Sequence, residues 1–249
     1  MSTKKWRSYD VDPQPIGFGS HSKVYKGYDP IYHREVVIKR TTEIERANFE
    51  AMIMKRYGDH PYLVQYYDFF RDEHHAFIVM EKVRGDRLGE IREGTKREEE
   101  KAIQITINLL QGISHLNSIG FFHTDIGPQN ILINNDDPDS VKLLDFGAAV
   151  QAGSDGIFKG VRKGGTVGFR PADEPKKKEI ILDYSTDVYA AACICVYLLT
   201  GKAPFKPREA LNELRNNRLK GILMKAMHVE REKRYHSAQE LIKDLENFR

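Results

Sequence analysis

His123-Thr-Asp-Ile-Gly-Pro-Gln-Asn130 and, after a short gap, Asp145-Phe-Gly147 place two carboxylates and a carboxamide in one brief stretch of chain. The residues between them, Ile131-Leu-Ile133 and Val141-Lys-Leu-Leu144, read as two short apolar strands. The turn joining them falls on Asn134-Asn-Asp-Asp-Pro-Asp139. A hairpin of that kind carries Asn130 and Asp145 back to one place. Asp125 is then the candidate to accept a hydroxyl proton, while Asn130 and Asp145 offer oxygen ligands to a divalent cation. Few protein oxygens plus substrate phosphates suit Mg²⁺, which keeps several of its waters. The set matches the needs of phosphoryl transfer, where positioning and charge neutralisation supply most of the catalysis.

Working outward, the first third of the chain reads mostly as strands. Val24-Tyr25, Glu35-Val-Val-Ile-Lys39, Leu63-Val-Gln-Tyr-Tyr67 and Ala76-Phe-Ile-Val-Met80 are short, β-branched or aromatic, and bounded by turn formers. One helix interrupts them from about Ile44 to Tyr57, with Ile44, Ala47, Ala51, Met54 and Tyr57 near a 3.6-residue period. From Lys96 onward the pattern turns helical: Ile103, Ile107, Leu110, Ile113 and Leu116 form one apolar face closed by Gly120. The stretch 184–199 is apolar on nearly all sides, as a helix buried inside a lobe would be. Ala238, Leu241, Ile242, Leu245 and Phe248 make a last amphipathic helix. Strands followed by helices predict an α+β fold in two lobes.

Bulk properties exclude several classes. A net charge of +3 over 249 residues is too small to argue for nucleic acid. The longest apolar stretch, 188–199, is well short of the ~20 residues of a membrane span. The segment after Met1 has no apolar signal-peptide core, so the expectation is a soluble, cytoplasmic protein. Cys193 and Cys195 sit two apart in the apolar helix and point to different faces, which predicts reduced core thiols.

The segment 123–147 resembles the catalytic loop (H-R-D-x-x-x-x-N) and the D-F-G motif of protein kinases. Other stretches resemble that family in the family's order. Ile16-Gly-Phe-Gly-Ser-His-Ser-Lys-Val24 is similar to the glycine-rich loop, with Ser22 at the third glycine. Lys39 ends the strand Val36-Val-Ile-Lys39 as the family's phosphate-binding lysine does, and Glu50 stands where its ion-pairing glutamate would. Glu43 and Glu45 sit too early on that helix. The resemblance implies a nucleotide site formed by Ile16, Gly17, Gly19, Val24, Val37, Lys39, Glu81, Val83 and Leu132, with Met80-Glu81-Lys82-Val83 as the hinge. Asp86 or Glu90 would reach a ribose hydroxyl. Gly165-Thr-Val-Gly-Phe-Arg-Pro-Ala-Asp173 is similar to the end of the activation segment, Arg234 to the arginine that pairs with its terminal acid, and Asp187 to the aspartate that braces the catalytic loop. Thr200-Gly-Lys-Ala-Pro-Phe205 is similar to the segment that closes the central helix. The chain is thus identified as a member of the protein kinase-like superfamily. The resemblance implies one kinase domain over 1–249, with an antiparallel-sheet lobe at 1–80, a hinge at 81–85 and a mainly helical lobe at 86–249. It further implies ATP and Mg²⁺ as cofactors, Asp125 as the base with Lys39 and Glu50 beside it, Asn130 and Asp145 as metal ligands, and a protein substrate modified on serine or threonine. A nucleotide-binding scaffold without activity and a small-molecule phosphotransferase are the competing classes.

Departures from the family pattern carry their own expectations. Gly127 stands where serine/threonine kinases have a lysine that contacts the γ-phosphate. Its loss removes a charge worth about 2–4 kcal/mol, or about 10²–10³ in rate. Arg162 or Lys163 is the expected substitute, with a solvated basic loop as the alternative. Thr124 replaces the arginine that binds an activation-loop phosphate, so little need for that phosphorylation is expected. Ser22 should stiffen the glycine-rich loop, and Val37 should narrow the adenine pocket. The segment from Phe205 to 222–227 is short, so a reduced docking helix is expected. Lys176-Lys-Lys178 would favour acidic peptides unless it is simply a solvated charge run.

Overall fold

The computed structural model describes residues 4–90, 94–161, 165–171, 180–202 and 207–248. Two compact units emerge, Met1–Val83 and Arg84–Arg249.

The first unit is a six-stranded antiparallel sheet and one helix. Its strands are β1 (Lys4–Trp6), β2 (Tyr9–Phe18), β3 (Ser22–Asp29), β4 (Arg34–Thr41), β5 (Tyr66–Arg71) and β6 (Ala76–Glu81), in the spatial order β1-β2-β3-β4-β6-β5. The helix α1 (Ile44–Tyr57) packs on β5 and β6. Alternation along β4 sorts its side chains. Val36 and Ile38 enter an apolar cluster with Tyr9, Val11, Tyr25, Phe77 and Val79, while Lys39, on the opposite face, meets α1. On α1 the buried stripe Ala47, Glu50, Ala51, Met54 and Tyr57 has helical spacing, which turns Glu50 inward with its apolar neighbours.

Three strands of this unit differ from the sequence expectation. The sequence reading contained neither β1 nor β2, and in β2 Pro13 and Pro15 weaken a strand pattern. The sheet tolerates them because β1 pairs only as far as Val11, leaving the proline stretch unpaired on that side, and its pairing with β3 shifts register around Pro15. Trp6 holds β1 in place, its ring 4.7 Å from Tyr25 and 5.1 Å from Phe77. The strand expected at 63–67 instead begins at Tyr66. Leu63 forms a single bridge and Val64 lies outside the strand; both are buried, and the Val64 carbonyl accepts from the Tyr57 hydroxyl.

The second unit is mainly helical. α2 (Glu99–Ser118) packs against α3 (Tyr184–Thr200) and α6 (Ala238–Glu246). α4 (Pro207–Leu211) and α5 (Asn217–Ala226) lie between them in sequence, and α4 is a helix of only five residues. α3 is buried on nearly every side, as its composition predicts. It starts with a capping box at Asp183 and Thr186 and stops at Gly201, whose φ of 70° is left-handed. Cys193 and Cys195 are free and buried in it. Among the described residues no helix is long and apolar enough to cross a membrane.

Short strand pairs shape the loops of this unit. β7 (Asp86–Arg87), β9 (Ile131–Ile133) and β10 (Lys142–Leu143) form a three-stranded sheet. The expected hairpin is therefore present, with Lys142 opposite Leu132 and Leu143 opposite Ile131. β8 (Phe121–Phe122) pairs with β11 (Val150–Gln151), and β12 (Phe158–Gly160) pairs with β13 (Ile180–Leu182).

Candidate active site

In the first unit the Lys39 ammonium donates to both carboxylate oxygens of Glu50, each at 2.8 Å. Glu50 is 2% exposed, so its charge is neutralised almost out of water. Glu43 instead pairs with Arg46, and Glu45 is exposed. Beneath this pair, burial and then the Glu50 and Glu81 carboxylates hold the Tyr57 phenol well above its ordinary range.

The glycine-rich turn joins β2 to β3. Gly17 lies opposite Val24 across the ladder, and Ile16 is half exposed. The Gly19 amide donates to the Ser22 carbonyl at 2.8 Å, and a Cβ on Gly19 would lie 2.6 Å from Ser22 Oγ. Ser22 thus closes the turn on itself, and the His21 carbonyl is tied to Thr41 Oγ1 at 2.8 Å. Val37 is half-buried opposite Met80. At the expected hinge, the Glu81 amide donates to the Gln65 carbonyl at 2.8 Å and its carboxylate accepts from the Gln65 amide at 3.0 Å. Val83, two residues on, is half-buried.

In the second unit the chain path gathers Asp125, Asn130 and Asp145. Asn130 donates its Nδ2 to the Asp125 carbonyl at 2.8 Å, which leaves Oδ1 as the outward oxygen of the amide. The Leu144 amide donates to the Asn130 carbonyl at 2.8 Å, so the next residue, Asp145, lies alongside. Asp145 is exposed, has a φ of 60°, and accepts from the Gly147 amide at 3.1 Å through Oδ1. A left-handed backbone at a non-glycine residue costs about 1–3 kcal/mol and is kept only where the surroundings enforce it. Among the described residues no three His, Cys, Asp or Glu side chains form a metal cage. One carboxylate and one carboxamide oxygen fit a hard cation that draws its remaining ligands from phosphates and water. Leu132 lies in β9 beside this loop, while Asp86 and Glu90 are both exposed.

The loop is held from behind. Asp187, in the first turn of α3 and 1% exposed, accepts from the amides of His123 (2.7 Å) and Thr124 (2.9 Å). The Asp125 amide donates to His123 Nδ1 at 3.3 Å, which leaves Nε2 to donate to the Leu144 carbonyl at 3.0 Å. That ring also meets Phe146 edge-on, centroids 5.1 Å apart. Thr124 takes over the buried place of the expected arginine, with a φ of 64° and its hydroxyl donating to the Ala148 carbonyl at 2.8 Å.

One contact at the base has no local signal in the sequence. Thr166 Oγ1 donates to Asp125 Oδ1 at 2.8 Å across 41 residues. Arg234, 2% exposed, donates to the carbonyls of His228 and Val229 and lies over the Tyr189 ring. Its expected partner acid, Asp173 or the adjoining Glu174, lies outside the described residues. So do Arg162, Lys163 and Lys176 to Lys178, and the end of the segment 200–205.

The family sequence pattern described as "Protein kinase domain" matches residues 11–248. The chain belongs to the protein kinase domain family. A serine/threonine-protein kinase PknD of Protochlamydia amoebophila is 26% identical over 94% of this chain and 29% of its own length. Serine/threonine-protein kinase B of Synechocystis is 28% identical over 79% of the chain and 37% of its own length. Serine/threonine-protein kinase 4 homolog A of Dictyostelium discoideum is 31% identical over 82% and 44%. The kinase domain described here thus spans under half the length of each of these relatives.

Proposed function

We propose that this kinase domain transfers the γ-phosphoryl group of ATP to serine or threonine hydroxyls of protein substrates. The observation that carries the reading is the grouping of Asp125, Asn130 and Asp145 by the Asn130–Asp125 and Leu144–Asn130 hydrogen bonds. Asp125 would accept the substrate hydroxyl proton as that oxygen bonds to the γ-phosphorus and the bond to the β–γ bridging oxygen breaks, releasing ADP. Lys39, aimed by Glu50, would hold the α- and β-phosphate oxygens. Asn130 Oδ1 and the Asp145 carboxylate would hold Mg²⁺, which neutralises phosphate charge when bound. Ile16, Gly17, Val24, Val37, Glu81, Val83 and Leu132 would form the adenine and ribose side. Gly19 would serve the turn's geometry rather than donate to phosphate, since its amide is engaged by Ser22.

The serine/threonine kinases among its relatives support a protein substrate over a small molecule. The test is incubation with γ-labelled ATP and Mg²⁺, alone, with generic protein substrates and with small alcohols and amino sugars, beside Asp125→Ala. The expected result is label on protein serine or threonine, lost in Asp125→Ala. Binding of ATP with no label in any lane refutes the reading in favour of a nucleotide-binding scaffold, and label only on small molecules refutes it in favour of the other phosphotransferase class.

A further inference from the structure

After β11 the chain turns back at 153–157, where the Gly153 amide donates to the Ile157 carbonyl and the Gly156 amide to the Gly153 carbonyl, both at 2.9 Å. It then enters β12, which pairs with β13: Phe158 opposite Leu182, Lys159 opposite Ile181 and Gly160 opposite Ile180. The ladder thereby joins the two ends of the stretch 161–179. A two-stranded ladder this short is marginal by itself, so its support comes from packing. Alternation leaves Lys159 and Ile181 exposed and turns Ile180 and Leu182 inward. There they join Phe122 of β8 and Val150 of β11, with Phe158 and Tyr184 packed against the group. Tyr184 meets Phe122 edge-on, centroids 5.1 Å apart. The Phe158 ring also lies over Gly160, where a Cβ would come within 2.8 Å of its Cζ. Arg231 holds β13 besides, donating to the Ile181 carbonyl at 2.8 Å and pairing at 3.7 Å with Asp183, the residue that caps α3.

The resemblance implies another tie for this stretch, an arginine before the base that receives a loop phosphate. Here Thr124 occupies that place and its hydroxyl is spent on the Ala148 carbonyl. We infer that the Phe158-anchored ladder of β12 and β13 takes over the task, fixing both ends of 161–179 so that the protein substrate is received without a phosphate on this chain. Phe158 is then a positioning residue, acting on substrate affinity through the ladder. The inference deepens the kinase reading and rests on it.

The experiment compares phosphatase-treated wild type with Phe158→Ala, Phe158→Leu, Gly160→Ala and the double variant Phe158→Ala/Gly160→Ala. Steady-state kinetics are read with ATP, Mg²⁺ and a generic protein substrate, and amide hydrogen exchange over 156–161 and 180–183 is followed on the same proteins. Phosphatase-treated wild type should turn over without a lag. Phe158→Ala should raise KM for the protein substrate about 10-fold, because a competent state populated only in part lowers apparent affinity by that fraction, with KM for ATP within about 2-fold. Exchange of the ladder amides should quicken alongside. Phe158→Leu keeps an apolar side chain on the cluster and should stay near wild type. Gly160→Ala, which pushes the ring aside, should fall between, and the double variant should be no worse than Phe158→Ala alone. Wild-type KM and exchange in Phe158→Ala, penalties that simply add, or a wild-type lag that ends as phosphate appears on Ser154 or Thr166 by mass spectrometry would overturn the inference. A wild type without turnover, phosphorylated or not, would refute the kinase reading, while the exchange series would still decide whether Phe158 holds the ladder.

Discussion

Replacing Asp187 tests how the second unit holds its catalytic loop. Its carboxylate, 1% exposed, accepts from the amides of His123 and Thr124 at 2.7 and 2.9 Å. In Asp187→Ala both amides would stay buried without those acceptors, each at about 1–3 kcal/mol. Removing a buried carboxylate returns part of that through relieved desolvation. The expected net loss is about 2–4 kcal/mol, enough to lower a urea midpoint by about 1 M or more. Asp187→Asn keeps one acceptor oxygen and turns an NH₂ toward the second amide, so it should lose less, about 1–3 kcal/mol. Far-UV circular dichroism follows the helices of this unit. The single tryptophan, Trp6, lies in the first unit and reports a different part of the chain, so the two probes are fitted separately. Thr124, at φ 64°, would relax once released, and Asp125 with it, so phosphotransfer should fall even in the folded protein. A midpoint shift below about 0.3 M in Asp187→Ala would refute the bracing argument.

Lys39→Met leaves Glu50 buried beside no ammonium and should cost about 3–5 kcal/mol, whereas Lys39→Met combined with Glu50→Gln should regain most of that stability in urea melts and none of the activity. Burial pushes the Cys195 thiol up to about 12 and raises Cys193 as well, so the reactive thiolate is scarce below that range. Alkylation at about pH 8 should therefore leave both unmodified by mass spectrometry until the protein is unfolded. Gly120→Ala adds only left-handed strain, because φ is 81° and open space surrounds the new Cβ; about 1–2 kcal/mol is expected. Gly201→Ala carries similar strain and also meets Gly94 at 2.6 Å, so thermal denaturation should show about 1–3 kcal/mol more. Ser154→Ala should keep full activity, since Ser154 and Thr166 are the only hydroxyl-bearing residues between Asp145 and Glu174 and Thr166 is engaged by Asp125.

Much of this architecture was legible because it rests on local periodicity. α1 spans the residues its 3.6-residue pattern marks, and the same pattern separates Glu50 from Glu43 and Glu45 by placing it on the buried stripe. Alternation on β4 sends Lys39 toward α1 and Val36 and Ile38 away from it. Where local signals conflicted, the sequence misled. Pro13 and Pro15 break the strand pattern of β2, and the apolar Leu63 and Val64 suggested a continuous strand where the structure has one bridge at Leu63 and a strand only from Tyr66.

The sequence by itself determined which chemical groups are present and, through residue spacing, which face of each helix or strand they occupy. It therefore contained Asp125, Asn130 and Asp145 and the hairpin between them. The tertiary structure alone decided what holds those groups. Asp187 reaches Thr124 across 63 residues and Thr166 reaches Asp125 across 41, separations over which no local preference acts. It also changed the meaning of Gly127. In sequence that position was a missing cation, whereas in the fold it is the space that admits the Thr166 side chain, because the path of a distant turn decides which atoms compete for one volume.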